Sequence, residues 1–200
     1  MGDHDSPISL HGGGKTLAKL AVEEQSGHWP IPEGTVLASA VTRIMSYMMD
    51  TIFVMGILYL ITSLAGGQAG SIVQAYNLGL LTMGGKGIAL FFIDWGLILG
   101  ANYLYYKYTG IKFSRSLGQR WFGLGVVRED GGELGRGDWG RRAMRKSLYA
   151  LPLVGLFWFG IRDLALIRKR HTHQSSIDLT VASIVVEGTS LPPASRKQLR

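Results

Sequence analysis

Cysteine is absent from all 200 residues, which excludes a disulfide framework, a thiolate metal site and a cysteine nucleophile together. The first 35 residues have no apolar core ahead of a small-residue cleavage site. They read as lacking a secretory signal peptide, which leaves targeting to the first apolar run. Charge is scarce in two long stretches. From Ile44 to Leu64, 21 residues carry a single formal charge, Asp50, and from Ile88 to Tyr106, 19 residues carry a single one, Asp94. At about 1.5 Å per residue these runs reach roughly 28 to 32 Å, about the thickness of a hydrocarbon core. Both are expected to span a membrane. Proline is rare, six in all, yet Pro152 falls within a third apolar block, Ser147 to Ile161. That block has only 15 residues and runs into Arg162 and Asp163, short of the roughly 20 that a span needs.

What is present fits an integral membrane protein: 46% hydrophobic residues, 18% charged, and a positive mean hydropathy concentrated in those blocks. The basic residues set an orientation. Lys107 to Lys146 carries ten Lys and Arg against four acids, whereas Ser63 to Gly87 carries only Lys86. By the positive-inside bias the first segment and the N-terminus are expected in the cytoplasm. A net charge of +7 beside the spans is explained by that bias and by anionic headgroups, so the expected partner is a lipid bilayer and not nucleic acid.

Two motifs are decoys. "SLHGGGKT", residues 9 to 16, ends like a phosphate-binding loop, but Ser9 stands where the first glycine is needed and no buried strand precedes it. His171 and His173, with Asp178, have the donor types of a metal site, but "RKRHTH" beside an apolar block reads more simply as a headgroup-binding basic run. No metal, no cofactor and no nucleophile with a base at readable spacing are expected, so the chain does not read as an enzyme.

The segment "SRSLGQRWFGLGVVREDGG", residues 114 to 132, contains a short apolar strand, Leu124 to Val127. "IDLTVASIVVEG", residues 177 to 188, gives a second, Thr180 to Val186. If the third block crossed fully, "RKR" at 168 to 170 would lie outside and the strands could not meet. That block is therefore expected to be re-entrant, broken or interfacial, with the strands paired as a small cytoplasmic sheet. Taken with Arg43 and Asp50 of the first run, these stretches resemble the RDD family of bacterial membrane proteins, named for one arginine and two aspartates. Arg43 matches the arginine at the start of the first helix and Asp50 the aspartate within it. "GQRWFGLGVV" matches a "GKR..GLRVV" stretch with Gln119 in place of lysine, and "IDLTVASIVV" matches "HD..A.T.VV" with Asp178 kept and Ile177 in place of histidine. The resemblance covers about residues 36 to 187, between flexible tails expected over 1–35 and 188–200. It implies a helical membrane protein linked to transport, including exchange of protons and monovalent cations.

Arg43 and Asp50 lie nearly two helical turns apart on one face, about 10 Å from each other. Helix side chains lean toward the N-terminus, which carries the guanidinium to the interface and away from Asp50. Arg43 is expected to be clamped there by a carboxylate from the C-terminal region, Asp178 or otherwise Asp163. Asp50, at roughly 2.5 to 3.5 kcal/mol on insertion scales, is either a packing residue neutralised by hydrogen bonds or a cation or proton site, with Asp94 secondary. Gly96 and Gly100 form a GxxxG on the face opposite Asp94. Each face packs either on another part of this chain or in a homo-oligomer or partner subunit. Two function classes follow: transport of a proton or small cation by a multi-pass protein of the cytoplasmic membrane, or a non-catalytic structural or assembly subunit of a membrane complex.

Overall fold

A computed structural model of the chain describes residues 34–64, 81–151, 154–170 and 172–199. Two helices, α1 (Ala40–Leu64) and α2 (Gly84–Phe113), are long and apolar enough to cross a membrane. Neither contains proline, so every interior backbone N–H is free to bond within its helix, as an apolar medium requires. Ser39 opens α1, its hydroxyl accepting from Thr42 N–H at 3.1 Å. Ser114 closes α2 in the left-handed region, its N–H returning to Gly110. The helices meet along Val54 and Leu58 of α1 and Trp95 and Ile98 of α2.

After α2 come a one-turn helix α3 (Leu117–Trp121), strand β1 (Leu124–Arg128) and α4 (Arg136–Ser147). The last packs back along α2, where a Cβ on Gly110 would lie 2.2 Å from the Trp139 ring. Only glycine admits that approach. A π-helical turn, Val154–Gly160, then leads into α5 (Ile161–Lys169). The segments Arg136–Ala150 and Val154–Lys169 meet at 119°, so the third apolar block is sharply bent. Helix α6 (Ser176–Thr180), strand β2 (Ser183–Glu187) and α7 (Pro193–Arg196) complete the order.

The two strands pair antiparallel, Leu124 opposite Glu187 and Arg128 opposite Ser183. Such a ribbon is marginal alone. Here both faces are covered: Leu124, Val126 and Val185 pack with Trp139 and Leu134, while Val127, Ile184 and Val186 pack with Leu37 and Leu191. The second strand starts later than the β-branched run from Thr180 suggests. Ser175 caps the N–H of Asp178, whose carboxylate returns to Ser175 N–H, and this reciprocal cap makes 176–180 helical before the chain turns at Ala182. The expected C-terminal tail lies against the sheet. Leu191 is 1% exposed, Leu199 packs with the second face, and Gln198 donates to Gly131 O at 2.7 Å. The expected N-terminal tail falls outside the described residues except for Gly34 and Thr35.

The sheet also has an internal symmetry. Ser116 and Ser175 each open a five-residue helix with a reciprocal cap, to Gln119 and Asp178. Positive φ recurs at equivalent points, Ser114 with His173 and Gly123 with Ala182, and each helix leads into a strand at the same distance. Gly188 N–H bonds to Gly123 O, and its counterpart Glu129 N–H bonds to Ala182 O. Two copies of one helix–turn–strand unit therefore pair about an approximate two-fold axis.

Candidate functional site: two buried carboxylate clusters

The buried residues of α1 are Ser46, Asp50, Val54 and Leu58, four apart, so Asp50 shares one stripe with the contact to α2. It is 0% exposed. Its Oδ1 accepts from Gly118 N–H and the Tyr105 hydroxyl, each at 2.7 Å, and its Oδ2 accepts from the Ser116 hydroxyl at 2.6 Å and Lys146 Nζ at 3.3 Å. Tyr105 Oη in turn accepts from Leu117 N–H at 3.1 Å. Donors from α2, α3, α4 and the α2–α3 connection thus converge on one carboxylate, which also faces the first amides of α3, where negative charge is favoured. The geometry requires glycine at 118. A Cβ there would sit 2.2 Å from Ser46 O and 2.7 Å from Asp50 Oδ1. Lys146 is additionally held 4.0 Å above the Tyr106 ring.

The second cluster centres on Asp178, also 0% exposed. Arg43 Nη1 donates to its Oδ2 at 2.7 Å, Arg142 Nη1 lies 2.6 Å from its Oδ1, and Ser175 gives Oδ2 both its N–H and its hydroxyl at 2.9 Å. Burial alone would raise this carboxyl, but the Arg142 and Arg43 guanidiniums outweigh it and hold it well below the usual carboxylate range. Arg142 also reaches the Ser183 hydroxyl at 2.6 Å, which fixes the start of β2. Arg142 and Lys146 are one turn apart on the buried face of α4, so one helix supplies a cation to each cluster.

The residues singled out from sequence separate accordingly. Arg43 and Asp178 are together, and Arg43 and Asp50 are not paired with each other. Asp163 is not a partner of Arg43; it accepts from the Tyr149 hydroxyl and from the Ser176 hydroxyl at 2.8 Å, tying α5 to α6. Asp94 is 6% exposed, and no hydrogen bond or ion pair joins it to another described residue. Gly96 and Gly100 are exposed, and a Cβ on either would meet nothing within 4 Å. Among the described residues no three His, Cys, Asp or Glu are grouped to hold a metal; His171 lies outside them.

Sequence reasoning missed Tyr105, Ser116, Gly118, Arg142 and Lys146. The signals were available in part: "SLGQ" at 116 to 119 is a capping-box pattern, and Arg142 and Lys146 share the i, i+4 face that carries Trp139 and Ala143. Which acid each cation serves depends on how α4 folds back, and no local pattern carries that.

The model of the RDD family matches residues 37–181, most of the chain. No curated protein and no solved structure matches it. The chain belongs to the RDD family.

Proposed function

We propose that this RDD family member is a multi-pass protein of the cytoplasmic membrane, with its N-terminus inside, acting as a non-catalytic structural or assembly subunit of a membrane complex. The observation that carries this reading is the saturation of Asp50. Both of its oxygens are occupied by donors of this chain, including an ammonium, so an incoming cation would have to displace Lys146 and break hydrogen bonds that seat α3. Asp50 then fastens the sheet to the helices. The apolar surface left over supports a partner or lipid: Ile52, Leu60 and Ile61 of α1 and Phe92, Ile93 and Leu97 of α2 are each half exposed or more. The test is the mass of the complex extracted gently from native membrane. A second polypeptide at fixed stoichiometry is the expected result, and a chain that runs alone or only with itself would overturn the subunit reading.

A second reading, movement of a proton or small cation, is favoured by Asp94, a buried acid in a span-length helix with no partner among the described residues. It predicts that purified protein in proteoliposomes carries protons, sodium or potassium down an imposed gradient, and that Asp94→Asn abolishes this while expression and oligomeric size persist. Absence of wild-type flux for all three ions would end that reading.

A further inference from the structure

Between α2 and α4 runs a groove of about 770 Å³, lined by Leu99, Gly100 and Tyr103 on one side and by Gly140, Met144 and Leu148 on the other. Its volume is in the range of sites that hold a sizeable ligand. The lining is apolar, but its rim is cationic, because Arg141 and Arg145 stand one turn apart on the face of α4 turned away from the two carboxylate clusters. Arg141 has a weak pairing with Asp138 at 3.6 Å, and Arg145 makes no hydrogen bond or ion pair with another described residue. Lys107, one turn beyond Tyr103 on α2, sits 5.3 Å from the Tyr103 ring and adds a third positive charge near the same end. Toward the other end, the surface of α2 at Gly96 and Gly100 is open.

We propose that this groove is a binding site for one anionic phospholipid, its phosphate held by Arg141 and Arg145 and an acyl chain lying along Tyr103, Gly100 and Gly96. The charge pattern selects the occupant. A guanidinium pair above an apolar channel complements a phosphate joined to a hydrocarbon chain, and the two glycines leave room for the chain against the helix backbone. A zwitterionic lipid offers the same chain but sets an ammonium beside the two arginines. The site rests on the membrane embedding in the reading above and is independent of whether the protein is a subunit or a transporter.

The test is native mass spectrometry of the delipidated full chain in mild detergent, titrated with phosphatidylglycerol or with phosphatidylcholine of the same acyl chains. Phosphatidylglycerol is expected to bind as a single preferred adduct, and Arg141→Gln with Arg145→Gln is expected to weaken it about thirtyfold while leaving phosphatidylcholine unchanged. The charge-matched control Arg128→Gln with Lys197→Gln should bind like wild type, since both residues are exposed and outside the groove. Glycerol phosphate, which has no chains, should not displace the adduct; displacement at equal concentration would make this an anion site and overturn the lipid assignment. Equal retention of the two lipids, or loss of phosphatidylglycerol in the control as large as in the groove variant, would also overturn it. A wild type that needs detergent yet holds neither lipid refutes the site alone, whereas one soluble without detergent refutes the embedding and the site with it.

Discussion

The two ends of the helix pair treat their acids in opposite ways. At the sheet end, Asp50 and Asp178 are completely buried and each is met by hydroxyl, amide and cationic donors from several elements. At the far end, Asp94 is nearly as buried but is joined to no other described residue, and the glycines on its helix face open space. Depth in an apolar helix therefore does not settle what an aspartate does. At the sheet end a polar module folds over the acids and supplies their partners, so its charges cannot be removed singly without stranding others. Among the described residues, the far end offers Asp94 no partner and puts nothing against Gly96.

The largest expected effect comes from breaking the sheet end at its most connected atom pair. Asp178→Ala leaves Arg43 and Arg142 buried without their counter-charge and removes the reciprocal cap of α6, and a loss of about 3–5 kcal/mol is expected. Chemical denaturation in detergent measures it. Arg43→Ala combined with Asp178→Ala should cost clearly less than the sum of the two single changes; simple additivity would show that the pair is not coupled.

Acid should remove part of the same stabilisation without mutation. Asp178 has a folded-state pKa held below its unfolded value near 4, so its contribution is complete above about pH 4 and is lost as pH falls through the lower folded value. The melting temperature of wild type in detergent is expected to drop below pH 4, and the Asp178→Asn variant to drop less over the same interval. Equal slopes would assign the acid sensitivity to other carboxylates.

A smaller loss is expected from steric change alone. Gly118→Ala keeps every charge, but its methyl would overlap Ser46 O and Asp50, pushing α3 off α1 at a cost of about 1–3 kcal/mol. If the variant melted like wild type, the packing of α3 on Asp50 would not be what holds the sheet end together.

This contrast also marks what could be read in advance. The two long apolar helices, the bent third block and the pairing of two strands were legible because apolar run length, proline placement and β-branched runs act locally. Arg43 with Asp178 was legible because a guanidinium leaning out of a helix start needs a carboxylate from elsewhere. The four donors on Asp50 were not, since they depend on α3 and α4 folding back beside α1. The late start of β2 turns on Ser175 and Asp178: their capping pattern is visible in "SSID", but it competes with the β-branched residues that follow.

The smallest expected effect sharpens the comparison at the far end. A Cβ on Gly96 meets nothing, its backbone is ordinary helix, and replacing glycine by alanine there reduces the freedom of the unfolded chain. Gly96→Ala should therefore stabilise the isolated chain by about 0.4–1 kcal/mol, against a loss at Gly118 from the same chemical change. Oligomeric size gives the second readout. If lipid alone covers this face, Gly96→Leu should leave the detergent-extracted mass unchanged, because a larger side chain simply displaces lipid. If a second helix packs there, the leucine prevents close backbone approach and the assembly should fall apart while the monomer stays folded. Destabilisation of the monomer by either substitution would mean that Gly96 is covered within the chain, and the contrast between the two ends would fail.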